Sequence, residues 1–129
     1  MAEWSPADTP NFSAAEMACK CGCGQSNMDA SFMKRLQELR TIIGPLTITS
    51  GYRCPDHNRA IGGGPEHVLG RAADIQCHGQ LARRIVEVSA GFFPRLGISQ
   101  RGDIAARFIH VGTAEPGEVN GASPWIWSY

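Results

Sequence analysis

Ile48-Thr49-Ser50-Gly51-Tyr52-Arg53-Cys54-Pro55, followed by His57-Asn58, Gly62-Gly63 and then His67-Val68-Leu69-Gly70-Arg71-Ala72-Ala73-Asp74-Ile75, is the stretch from which this chain is read. Leu46 to Thr49 alternate with branched residues as a short half-buried strand, which Ser50 and Gly51 end. Arg53 to Pro65 read as a long ordered loop with one helical turn, and Gly62, Gly63, Gly64 and Pro65 mark a tight loop just before His67. Ala72 to Ile75 form a small-residue strand.

Upstream, Phe32, Met33, Leu36, Leu39, Ile42 and Ile43 recur at spacings of three and four after Asp29, which predicts an amphipathic helix stopped by Gly44 and Pro45. Phe12, Ser13 and Glu16 read as a capping box opening a short helix that ends near Cys19. Downstream, Leu81, Ile85 and Val88 give a second amphipathic helix from about Gln80 to Ala90. Phe93 to Ile98 and Arg107 to Val111 are candidate strands that pair as a hairpin around a polar turn holding Arg101, Gly102 and Asp103. In the tail from Glu115 to Tyr129, Trp125, Trp127 and Tyr129 alternate on one face. Helices and strands in this succession predict one small α+β domain.

A chain of 129 residues fits one core, and its zero formal net charge gives no footing for nucleic acid or for an anionic membrane. No apolar run approaches the roughly 18 to 20 residues that cross a bilayer, so no membrane span is expected. Met1 to Asn11 lacks a basic start and an apolar run, so no conventional export signal is expected and synthesis in the cytoplasm as a soluble protein is. A monomer is the default expectation.

Residue types alone leave two readings of the histidines. His67 and Asp74 flank a glycine-containing bend, and His110 sits between Ile109 and Val111 in an apolar strand, an expensive place for an unpartnered polar ring. One reading is a core histidine bonded to backbone. The other is metal: two imidazoles and a carboxylate are the ligand types of a catalytic zinc site.

The opening stretch resembles the signature of the zinc D-alanyl-D-alanine carboxypeptidases and their LAS-type relatives, which include short phage endolysins. Phe108-Ile109-His110-Val111 and Trp127-Ser128-Tyr129 resemble the ends of short members, so the likeness runs from about Phe12 to Tyr129. The resemblance implies a small α+β fold with a central antiparallel sheet flanked by helices, shared in outline with the hedgehog domain. It implies zinc held by His67, Asp74 and His110, with Arg53 binding substrate and stabilising the developing oxyanion, and Ser50 and Tyr52 beside it. The implied substrate is a peptidoglycan stem peptide, cut in the periplasm or cell wall after release, by a virion-associated protein or an endolysin.

The chain departs from that pattern where the general base belongs. Relatives carry Glu or Asp three residues before the last histidine, and Arg107 stands here; others carry a histidine two before, and Phe108 stands here. Pro65 replaces the usual serine two before His67. Asp103 is the candidate base, with Glu66 and Glu115 as alternatives; without a base, a zinc-containing wall-binding or virion module remains. Cys19, Cys21, Cys23 and Cys54 leave three states open: free thiols, a disulfide, or a second metal. The terminal aromatics are expected to pack the chain end onto the core rather than to stack on a glycan.

Overall fold

The structure, a computed structural model, describes residues 3–119 and 123–129. Residues 120–122 of the Gly- and Pro-rich tail, and the first two of the stretch read for an export signal, lie outside the described residues.

Helix α1 (Ala14–Met17) opens on the capping box: Glu16 N–H donates to Ser13 Oγ at 3.1 Å and Ser13 N–H donates to Glu16 Oε1 at 3.3 Å. Helix α2 (Ala30–Ile43) is capped by Asp29, whose buried carboxylate accepts from Phe32 N–H at 3.0 Å. Such a cap is worth about 1 kcal/mol. Its core face is Phe32, Met33, Leu36 and Leu39, all fully buried, and Ile43 packs partly buried against the same core, while Ile42 is about half exposed.

Strand β1 (Thr47–Ser50) leads into helix α3 (Pro55–Ile61), where the sequence had suggested a loop with a single turn. Two local signals build it. Cys54 accepts from His57 N–H at the N-cap with Pro55 at the first position, and Gly62 takes the left-handed conformation (φ 69°) at the end. Only Asn58 of α3 is buried, which is why no apolar period announced it.

Strand β2 (Ala72–Gln76), helix α4 (Gly79–Ser89), strand β3 (Arg95–Ser99), strand β4 (Phe108–Gly112) and strand β5 (Trp125–Ser128) complete the described α-helices and strands, with short 3-10 turns at Pro6–Asp8 and Ile104–Ala106. In α4 the buried stripe is Ala82, Ile85 and Ser89, and Leu81 is exposed. The sheet runs β1-β2-β4-β3-β5; all pairs are antiparallel except β3 with β5, which are parallel. The β3–β4 hairpin forms as the pattern indicates and the central strands pair antiparallel, with β5 added in parallel at one edge.

Alternation then sorts the side chains. Ala73, Ile75, Leu96, Ile109 and Val111 face the core that α2 and α4 cover. Asp74 and His110, one residue off, face the other side. In register, Ser50, Asp74, His110, Gly97 and Trp127 form one row across all five strands. An irregularity between Ile48 and Ser50 in β1 sets Ser50 opposite Asp74. Gly97 is the gap in that row: a Cβ there would come within 2.7 Å of the Trp127 ring, which reaches over it to 5.1 Å from the His110 ring.

Candidate metal centre

The covalent spacing of His67, Asp74 and His110 says little about their separation, and the sheet brings them together. Asp74 and His110 are cross-strand neighbours on β2 and β4. His67 arrives on the segment between α3 and β2, closed by Gly70, whose φ of +70° suits glycine and whose absent side chain admits the Asn27 carbonyl. His67 Nδ1 donates to Gly51 O at 2.7 Å, which turns Nε2 toward Asp74 Oδ1 at 3.4 Å. His110 Nδ1 donates to the same Asp74 Oδ1 at 3.0 Å. All three side chains are buried, and their ligand-type atoms lie within 4.8 Å of one another.

Those separations fit a metal. Ligand atoms about 2.1 Å from a tetrahedral ion lie about 3.4 Å from each other, and two nitrogens with one carboxylate oxygen form a donor set that zinc accepts. Without a cation, burial alone would raise the Asp74 carboxyl, but hydrogen bonds and charge from His110 and His67 outweigh it and hold it well below the usual range. Burial would likewise lower His110, yet its bonds to Asp74 and Glu66 push it up. The proton on His110 Nδ1 occupies the role a metal would take.

Arg53 stands beside the cluster, held at three points. Its Nη2 donates to Asp74 Oδ2 at 3.3 Å, Nε to Ser50 Oγ at 3.1 Å and Nη1 to Asn58 Oδ1 at 3.3 Å. Asn58 also donates to Gly63 O and Gly64 O at 3.2 and 3.0 Å, so α3 fastens the glycine loop over the guanidinium. A Cβ on Gly63 would strike Asn58 Oδ1 and Arg53 Nη1 at 2.3 and 2.6 Å, which explains a glycine there.

Glu66 is as buried as the cluster itself. His110 Nε2 donates to Glu66 Oε1 at 2.7 Å, Arg95 Nε lies 3.2 Å from the same oxygen, and Ala114 N–H donates to Oε2 at 3.0 Å. Burial opposes ionisation of Glu66, but His110, Ala114 N–H and Arg95 together hold its carboxyl below the ordinary value. The carboxylate fills the space over Gly112, where a Cβ would sit 2.0 Å from it. Glu66 thus grips the far nitrogen of His110, the partner that commonly fixes a ligand's orientation. We expect Glu66→Gln to weaken zinc binding by about 10- to 100-fold in competition with a chromophoric chelator. An unchanged affinity would remove Glu66 from this role.

The cluster opens on a cleft of about 530 Å³ lined by Arg53, Glu66, Arg95, Trp125, Trp127 and Tyr129, among others. Here the chain end differs from expectation: Trp125 and Tyr129 are half exposed and face the cleft instead of the core, because the parallel register puts the odd-numbered residues of β5 on the cluster side. Arg95 Cζ lies 4.8 Å above the Trp127 ring. Among the sequence candidates, the Ser50 hydroxyl meets the site through Arg53, and Tyr52 is buried in the core. Asp103 is exposed at the start of a 3-10 turn and does not line the cleft, nor does Glu115. Sequence reasoning passed over Arg95 and the holding roles of Asn58 and Glu66; the only sign was Glu66 adjoining a ligand.

A buried two-histidine, one-aspartate cluster beside a fixed guanidinium, on an α+β sheet, is the arrangement of a metallopeptidase. The peptidase M15 family model matches residues 10–112, and the chain belongs to that family, whose peptidases are zinc-dependent. The match takes in Arg53, Glu66, His67, Asp74 and His110 and stops before β5. A comparison with curated proteins finds no match. Among the described residues no helix is long and apolar enough to cross a membrane.

Proposed function

We propose that this protein hydrolyses a peptide bond in the stem peptide of bacterial peptidoglycan, as a zinc-dependent peptidase of D-alanyl-D-alanine carboxypeptidase or endopeptidase type. The observation that carries the reading is the meeting of His67 Nε2, Asp74 Oδ1 and His110 Nδ1 with the Arg53 guanidinium on the outer oxygen of the same aspartate.

His67, Asp74 and His110 would hold the ion, and zinc, when bound, supplies Lewis acidity at the scissile carbonyl and acidifies water. Gly51 O and Glu66 keep the two imidazoles turned with one nitrogen each toward Asp74. Arg53 offers a donor where negative charge grows on the carbonyl oxygen, and its three tethers mean that little reorganisation is needed when the charge appears. The same guanidinium suits a terminal carboxylate. Trp125, Trp127 and Tyr129 give the cleft an apolar wall against which a peptide loses water.

A second reading, a zinc-containing wall-binding or virion module, rests on the state of the cleft carboxylates. Both oxygens of Asp74 are engaged, by the two histidines and by Arg53, and both of Glu66, by His110, Arg95 and Ala114. Neither is free to take a proton from an attacking water, and base assistance is commonly worth about 10²- to 10⁴-fold. Purified muropeptides separate the readings. Cleavage that a chelator abolishes and zinc restores is expected of the enzyme; muropeptide binding with no cleavage at any zinc level would select the module.

A further inference from the structure

We propose that Cys19, Cys21, Cys23 and Cys54 form a second metal site, a tetrathiolate that takes Zn²⁺ and ties residues 19–24 to the segment carrying Arg53. The four sulfurs lie within 4.8 Å of one another. Cys19 and Cys21 Sγ are 3.5 Å apart, and Cys21 and Cys54 Sγ 3.7 Å. Sulfurs about 2.3 Å from a tetrahedral zinc lie about 3.8 Å from each other, so the spacing is that of a ligand set.

The backbone is curled to produce this convergence. In an extended strand, side chains two residues apart stand roughly 6.5 to 7 Å from each other and cannot close on one ion. Gly22 and Gly24, at φ of 89° and 79°, bend the segment where other residues would be strained, and Gly22 N–H donates to Cys19 O at 3.4 Å. Cys54 comes from the N-cap of α3, 33 residues beyond Cys21. Its own N–H donates to Cys19 Sγ at 3.3 Å, and His57 N–H donates to Cys54 Sγ at 3.4 Å. The donor aimed at the Cys19 sulfur favours its thiolate, the form that binds metal.

Packing accounts for Cys19, which lies in the core, and for Cys54 against it, but not for Cys21 and Cys23, which are exposed; all four thiols are free of disulfides. Four soft ligands in tetrahedral array select zinc or iron among common metals, and a closed set with no fifth group suits a structural zinc. The ion would act at a distance on the catalytic face. Tyr52 N–H already donates to Met17 O at 2.9 Å and Arg53 N–H to His67 O at 3.3 Å, so pinning Cys54 to the N-terminal turn fixes both ends of the segment that presents Arg53.

The test uses the full chain with His67→Ala and His110→Ala, which leaves the thiolates as the metal site in question. That variant is expected to purify with one zinc per chain and, after exchange into cobalt(II), to show the intense sulfur-to-cobalt charge-transfer absorption of a tetrahedral thiolate. Adding Cys21→Ser and Cys23→Ser, which removes no core packing because both positions are exposed, should abolish the zinc and the absorption and lower Tm on the order of 10 °C. The proposal is overturned if the histidine variant holds no zinc and gives no such band, if it retains iron instead, or if its non-reduced mass shows two hydrogens lost to a disulfide. A wild-type protein with the cobalt–sulfur band but one metal in total would instead count against the catalytic site and leave this one standing.

Discussion

Asp74→Asn is expected to eliminate hydrolysis and to lower zinc affinity at the histidine site by at least about 100-fold, more than loss of a supporting partner does. Asp74 does two jobs with its two oxygens. Oδ1 is the point on which His67 Nε2 and His110 Nδ1 converge at 3.4 and 3.0 Å, and Oδ2 carries Arg53 at 3.3 Å. Asparagine keeps the shape and removes the charge, so the ligand set loses its anion and the guanidinium its counter-ion in one step. Zinc counting should therefore drop by one per chain while the thiolate site keeps its ion. Full zinc occupancy with unaltered turnover would show that Asp74 is no ligand.

Arg53→Lys is expected to lower kcat/KM by about 10²- to 10³-fold, the cost commonly seen when one donor to a developing oxyanion is removed. Lysine retains the charge but cannot reach Asp74, Ser50 and Asn58 together from one ammonium, so the fixed fork becomes a mobile point charge. The loss should appear mainly in kcat, because the bond to the carbonyl oxygen strengthens as charge grows there. Zinc content should stay at the wild-type value, which separates this effect from that of Asp74→Asn. Turnover within about twofold of wild type would mean that Arg53 only braces the aspartate.

Much of this arrangement was legible in the chain, and what was not has physical reasons. The helix after Asp29 declared itself because cap, period and stop agree over many residues. Strands β2 and β4 were read from their branched and small residues, and their pairing carried Asp74 to His110. Helix α3 escaped because it is a surface helix whose one buried residue, Asn58, is polar; its evidence was local, Pro55 at the start and Gly62 at the end. The direction of β5 escaped because alternation in Trp125, Trp127 and Tyr129 is the same for either sense of pairing. At the site, residue types and the family resemblance pointed to His67, Asp74 and His110, which the fold brings together, and to Arg53 beside them. The engagement of Glu66 could not be read, since it depends on Arg95 and Ala114, far along the chain and unmarked by any motif.

Three side chains sharing one zinc ion define the proposed centre, and anomalous diffraction at the zinc edge from crystals grown with zinc tests that most directly. A peak bonded to His67 Nε2, Asp74 Oδ1 and His110 Nδ1 at about 2.1 Å is the expected result. Full zinc in the crystal with no peak among those atoms would contradict it.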